Sequence, residues 1–107
     1  MKHINFSFDN ADVKAISQAL SCLPAYDAYD SFPPNLVAMP ASVIMKLNCR
    51  ERLSHQELYL IAIAVDSAHK ALRGELIIED EALRTLRQYF FTINKLQPSL
   101  SVLLDPE

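Results

Sequence analysis

The strongest apolar pattern in the chain lies in its middle and predicts a helix over 55–73. Ser54 and Glu57 have the S-x-x-E spacing of a capping box at a helix start. Gly74, the only glycine, stands where a left-handed cap would end the helix. On a helical wheel, one apolar stripe of this helix is formed by Leu58, Ile61, Ala62, Val65, His69 and Leu72.

The N-terminal half of this helix is apolar on a second side as well, because Tyr59, Leu60 and Ile63 lie opposite the stripe. A second cover is therefore needed, either from the chain itself or from another copy. An unpartnered apolar surface favours association, and twofold dimers are the commonest oligomers. We therefore predict a homodimer, with Tyr59, Leu60 and Ile63 as self-association residues.

Helical spacing of apolar residues also predicts two helices before the central one. Asp9 or Asn10 caps the first of these, and Pro24 ends it. Pro40 occupies the first turn of the second, which ends near Cys49. The segment between them, 24–40, has no useful period and is predicted to be an ordered loop.

The C-terminal part of the chain predicts one more long helix. Acidic residues at 79–81 suit the start of a helix, where the macrodipole favours negative charge. Leu83, Leu86, Phe90 and Ile93 form its apolar stripe, while Phe91 points away from the stripe. We expect Pro98 to end this helix and one further helical turn to follow.

Residues 3–8 alternate between apolar and polar side chains, which is typical of a half-buried strand. An isolated strand is unstable, so this one needs a partner: 75–79 is the candidate within the chain, and a symmetry-related copy is the other candidate. The predicted fold class is mainly α with a minor β part. It is a small bundle of four to five helices around the central helix 55–73, with the short N-terminal strand 3–8.

Length and composition limit the classes of protein that fit. A chain of 107 residues, half of them hydrophobic, predicts a single domain over 1–107. A net charge of −3 argues against a nucleic-acid surface, which usually needs a basic face. The longest apolar run, 58–65, is shorter than the roughly 18 residues a membrane span needs. We expect a soluble, cytoplasmic protein with Cys22 and Cys49 as free thiols.

The chain has few candidate residues for catalysis, cofactor binding or metal binding. One glycine excludes a phosphate-binding glycine loop, and His3, His55 and His69 lack metal-site spacing, so no cofactor and no metal are expected. His69 lies within the apolar stripe, and we favour a core imidazole there over a functional one. Cys22 falls opposite the stripe of its helix, so we expect it to be exposed, but a nucleophile would also need a nearby base.

The loop 26–32 is the most distinctive segment, since it alternates aromatic and acidic residues before two prolines. Aromatic anchors carry much of the energy of protein interfaces. The same rings could instead fold over the spare side of the central helix, and the two roles can be divided among them. The predicted partner-binding residues are Tyr26, Asp27, Tyr29, Asp30 and Phe32.

The resulting hypothesis is a non-enzymatic protein–protein interaction module, such as a small regulator, adaptor or inhibitor. The alternative is a nucleic-acid-associated transcriptional regulator, because the helices around Arg50 and Arg52 resemble a helix-turn-helix in order. A recognition helix, however, presents polar residues from its first half, and here that half is apolar. An enzyme of unknown class is the third possibility.

Overall fold

The structure is a computed structural model, and it describes residues 8–26 and 40–104. It is mainly helical and compact, which confirms the predicted small helical bundle. The described residues contain no strand. The helices are α1 (Asn10–Ser21), a short 3-10 helix (Leu23–Ala25), α2 (Pro40–Asn48), α3 (His55–Leu72), α4 (Asp80–Arg87) and α5 (Phe90–Ser101).

Two capping boxes fix the starts of α1 and α3. At α1 the Asp12 amide donates to Asp9 Oδ1 at 2.8 Å, and the Asp9 amide donates to Asp12 Oδ2 at 3.1 Å. At α3 the Glu57 amide donates to Ser54 Oγ at 3.2 Å, and the Ser54 amide donates to Glu57 Oε1 at 2.7 Å. These reciprocal bonds pair amides that a helix start otherwise leaves without partners. The predicted starts of both helices are confirmed.

Gly74 ends α3 in the left-handed conformation, with φ of 80°. Its amide donates to the Ala71 carbonyl at 3.1 Å, and the next amide, of Glu75, donates to the Lys70 carbonyl at 2.8 Å. This pair of bonds is the Schellman motif. The predicted left-handed cap at the only glycine is confirmed.

Arg50 ends α2 with the same motif, although it is not a glycine. Its φ is 59°, its amide donates to the Leu47 carbonyl at 3.3 Å, and the Glu51 amide donates to the Lys46 carbonyl at 2.9 Å. The Arg50 guanidinium donates to the Phe8 carbonyl at 2.6 Å and to the side-chain oxygen of Asn10. These long-range bonds join the end of α2 to the start of α1 and offset the cost of the left-handed backbone.

Helix α3 lies at the centre of the bundle, in contact with α1, α4 and α5. Its buried residues lie on more than one side, as a helix covered twice requires: Glu57, Leu60, Ile61, Ala62, Ala64, Val65, Ser67, Ala68 and Ala71. Four of these are alanines, whose small side chains let neighbouring helices approach closely. Packing within the chain therefore buries much of the second apolar side of this helix, for which the sequence predicted that a second cover was needed.

The single long C-terminal helix was a wrong prediction, because the chain breaks at Gln88 and Tyr89. The amides of these two residues donate to the carbonyls three positions earlier, Thr85 and Leu86, which tightens the end of α4. Tyr89 has φ of −111° and ψ of 18°, outside the helical range.

Pro98 does not end the last helix, contrary to prediction, but lies inside α5. Proline lacks the amide hydrogen that would bond the carbonyl four residues earlier. The helix nevertheless continues to Ser101, with Leu96 and Leu100 buried on either side of the proline. Burial of that apolar stripe favours the helix over a break, because packing contributes more to helix stability than local propensity does.

Ile78, within the predicted 75–79 strand, forms a single antiparallel bridge with Tyr26. The neighbouring Glu79 amide donates to the Ala25 carbonyl at 3.1 Å. The segment before α4 is thereby attached to the end of the 3-10 helix. Residues 3–7 of the predicted N-terminal strand lie outside the described residues, and Phe8 is half-buried.

Candidate functional site

Tyr26 is the one predicted partner-binding residue that the structure describes, and it is buried with 3% of its surface exposed. Burial, helped by nearby Cys22 and Asp66, raises the pKa of its hydroxyl. Tyr26 belongs to the buried core of the described chain, so very little of its surface is open to a partner. The division of the loop rings between covering the central helix and binding a partner stays a prediction. Asp27, Tyr29, Asp30 and Phe32 lie outside the described residues.

The three predicted self-association residues have different environments. Tyr59 is 42% exposed, Ile63 is half-buried, and Leu60 is buried with 1% exposed. The prediction for Leu60 is therefore corrected: the side chain is covered within its own chain, so it is not available to a second copy. Only Tyr59 keeps a large exposed apolar area.

Cys22 was expected to be exposed, and this expectation was wrong. It lies just past the end of α1, where the chain turns into the 3-10 helix, and it is 4% exposed. Burial raises the pKa of its thiol, although Gln18 Nε2 donates to its sulfur at 3.4 Å and acts in the opposite direction. A buried thiol with a raised pKa is a poor nucleophile. Cys49, by contrast, is exposed.

The described histidines are His55, which is exposed, and His69, which is half-buried although the wheel placed it in the core stripe. Among the described residues, no group of three or more His, Cys, Asp and Glu side chains could hold a metal ion. His69 therefore belongs to no such group in this part of the chain.

Two shallow clefts lie along α1, next to the end of α2, with volumes of about 260 and 200 Å³. Both are lined by Val13, Lys14 and Asn48. Their linings contain no carboxylate, histidine or cysteine. Lys14 lines both clefts, and neither lining places a lysine or serine beside a carboxylate or an imidazole that could act as its base.

The most exposed large apolar side chain among the described residues is Phe91, at the start of α5, with 85% of its surface exposed. The ring of Phe90, itself 39% exposed, contacts it edge-on with centroids 5.6 Å apart and planes at 74°. Arg84 and Arg87 of α4 are exposed nearby in the chain and form no salt bridge with another described residue. We call Arg84, Arg87, Phe90 and Phe91 the α4–α5 corner.

The sequence analysis did not identify the α4–α5 corner as a candidate site, and the sequence gives only a partial indication of its exposed aromatic side chains. The wheel placed Phe91 off the apolar stripe, which is correct, but it placed Phe90 on the stripe because it assumed one continuous helix. The break at Tyr89 turns α5 relative to α4 and leaves Phe90 partly exposed as well. An off-stripe phenylalanine in the sequence was the available sign of a surface aromatic.

Comparison with protein-family models, with curated proteins and with solved structures finds no match to this chain. In the part of the chain that the structure describes, none of the helices has the length and apolar character needed to cross a membrane.

Proposed function

We propose that this chain is a non-enzymatic protein–protein interaction module, acting as a small regulator, adaptor or inhibitor. The observation that carries the proposal is the exposure of Phe91 beside Phe90 at the α4–α5 corner. Scattered exposed apolar residues are normal on any protein surface. Two contacting phenylalanines on an ordered helix start are a stronger feature, because aromatic side chains are enriched at interface cores.

The proposed location is the cytoplasm. The support is that Cys22 and Cys49 are both free thiols, which is the usual state in a reducing compartment. A homodimer stays a prediction as well. Its support is narrower than the sequence indicated, because Leu60 is covered within the chain and Tyr59 is the most exposed of the three predicted self-association residues.

Photo-crosslinking tests the protein-binding proposal directly. A benzophenone amino acid placed at position 91 is expected to capture a protein in an extract of the native host, and excess unlabelled wild-type chain should compete the adduct away. The same group placed at Ile77, which is 71% exposed, is the matched control. Equal capture from both positions would show that the crosslinking is non-specific and would contradict the proposal.

Self-association has its own measurement. Sedimentation equilibrium at high micromolar concentration should give the mass of a dimer, and Tyr59→Ser should shift the mass toward the monomer. A wild-type monomer under these conditions would remove the homodimer from the proposal without affecting the crosslinking test.

A further inference from the structure

The cations of the α4–α5 corner differ from most others in the described chain. Lys46, Lys70, Arg73 and Lys95 form salt bridges, and Arg50 donates to Phe8 and Asn10. The described cations without such partners are Lys14, Arg52, Arg84 and Arg87. Among these four, only Arg84 and Arg87 are close together in the chain, in a protein whose net charge is −3.

Helix geometry makes the two arginines neighbours, and Phe91 follows them closely in the chain. Arg84 and Arg87 are separated by three positions on α4, so they are neighbours on the helix surface. Phe91 follows Arg87 by four residues, which span at most about 14 Å even when fully extended. A short peptide segment could therefore contact all three side chains at once.

We infer that the α4–α5 corner binds an acidic peptide segment of a partner protein that also carries a large apolar side chain. Its carboxylates would accept hydrogen bonds from the guanidinium groups of Arg84 and Arg87, which donate to carboxylates in bidentate geometry. Its apolar side chain would pack on Phe91. This inference rests on the proposed protein-binding function and names the chemistry of the partner.

The distribution of charge along α4 favours a peptide over a nucleic acid. Asp80 and Glu81 are exposed in the first turn, and the two arginines follow in the last turn. A nucleic-acid strand carries negative charge at regular intervals along its whole length, so it would meet the acidic turn as well. A peptide can confine its carboxylates to the part that faces the arginines.

The inference is tested with a synthetic peptide of alternating glutamate and leucine residues, using the whole 107-residue chain. Two-dimensional NMR should show amide shifts concentrated at 84–91 on addition of this peptide. A peptide with lysine in place of glutamate should give no such shifts, and oligothymidylate should bind more weakly than the acidic peptide. Raising the salt concentration should weaken binding of the acidic peptide, because its contacts are partly ionic.

Matched substitutions separate this surface from general effects of charge and hydrophobicity. Arg84→Glu and Phe91→Ser should each weaken peptide binding by about tenfold, in line with the loss of an interface anchor or a charge contact. Arg52→Glu makes the same charge reversal, and Ile77→Ser removes another large apolar side chain, both at other exposed positions; these two variants should leave the affinity nearly unchanged.

The outcomes separate this inference from the proposed function. Equal losses in all four variants, or shifts spread over the whole chain, would overturn the inference, and so would tighter binding of oligothymidylate. The inference alone fails if the acidic peptide does not bind but crosslinking at position 91 still captures a protein. In that case excess Phe91→Ser chain should not compete the adduct away, and the proposed function stands. If the acidic peptide does not bind and crosslinking at position 91 captures no protein, the inference and the proposed function both fail.

Discussion

The Nζ atom of Lys46 lies 2.7 Å from Oε2 of Glu57, so one ion pair joins α2 to the start of α3. The other carboxylate oxygen of Glu57 accepts the Ser54 amide at 2.7 Å. Glu57 is buried, while Lys46 keeps about a third of its side chain exposed. A single buried carboxylate thus serves both as a helix cap and as the anchor for a neighbouring helix.

Replacement of Glu57 by glutamine should lower the free energy of unfolding by about 2 kcal/mol, in the range for losing a buried hydrogen bond to a charged group. Glutamine can still accept the Ser54 amide, but it cannot form the ion pair with Lys46. Urea denaturation measures the change. Glu51→Gln, at an exposed position at the end of α2, is the control and should be neutral. Equal stability of Glu57→Gln and wild type would show that the ion pair contributes nothing.

The same carboxylate predicts a loss of stability in acid. Burial raises the pKa of Glu57, but hydrogen bonding from Lys46 and the Ser54 amide outweighs it, and the net pKa lies below its ordinary value of 4.5. A lowered pKa means that the contribution is fully present above pH 4.5 and is lost as the pH falls through the folded value. The unfolding free energy of the wild type should therefore fall more steeply below pH 4.5 than that of Glu57→Gln.

Asp9 sets the background for this acid titration. Its pKa is also lowered, first by the hydrogen bond from the Asp12 backbone amide, so some acid dependence should remain in Glu57→Gln. Identical pH profiles for the two proteins would show that Glu57 titrates alike in the folded and unfolded chains. That result would contradict the assigned ion pair.

At both left-handed helix ends, glycine should give a more stable chain than alanine. At Gly74, alanine would meet no atom within 4 Å, so Gly74→Ala should cost about 1 kcal/mol from the backbone conformation alone. At position 50 the native arginine already bears that cost. Arg50→Gly should therefore be more stable than Arg50→Ala by about 1 kcal/mol.

Urea denaturation of the three variants tests both helix ends together. The comparison at position 50 is controlled internally, because both substitutions remove the bonds from the guanidinium to Phe8 and Asn10. If Arg50→Ala were the more stable of the two, as in an ordinary helix, the left-handed assignment of residue 50 would be wrong.

The helices whose ends are set by local chemistry were predictable from the sequence. The capping box at Ser54 and Glu57, the proline that begins α2 and the only glycine after α3 each act within a few residues. Sequence alone therefore indicated where α1 and α3 begin and where α2 and α3 lie. The central position of α3 followed from its second apolar side.

The parts that could not be predicted depend on packing between distant segments. No glycine or proline marks the break at Gln88 and Tyr89, and the apolar period runs through it. Arg50 takes a left-handed conformation that its residue type disfavours, held by groups about forty positions away in the chain. The burial of Cys22 likewise depends on its position past the end of α1, which the wheel of a longer helix misplaced.

The two thiols should react at very different rates. Cys49 is exposed, whereas Cys22 is buried and burial raises its thiol pKa. A thiol reagent added to the native chain should modify one cysteine quickly, and the second should react only as fast as the chain opens or unfolds. Cys49→Ser should abolish the fast phase, and Cys22→Ser should keep it. Two fast phases in the wild type would contradict the burial of Cys22.

Tyr26 provides the sharpest test of how α3 is covered. Its ring is 3% exposed, its backbone is bridged to Ile78, and Asp66 of α3 lies close enough to influence the pKa of its hydroxyl. Removing a buried aromatic ring leaves a cavity, so Tyr26→Ala should lower the free energy of unfolding by about 3 kcal/mol or more. Tyr26→Phe keeps the ring and should cost less. Tyr59→Ala, which removes a tyrosine 42% exposed on α3 itself, is the matched control and should cost well under half as much. Equal losses for Tyr26→Ala and Tyr59→Ala in urea denaturation would mean that Tyr26 is not part of the cover, and its role as a partner-binding residue would have to be reopened.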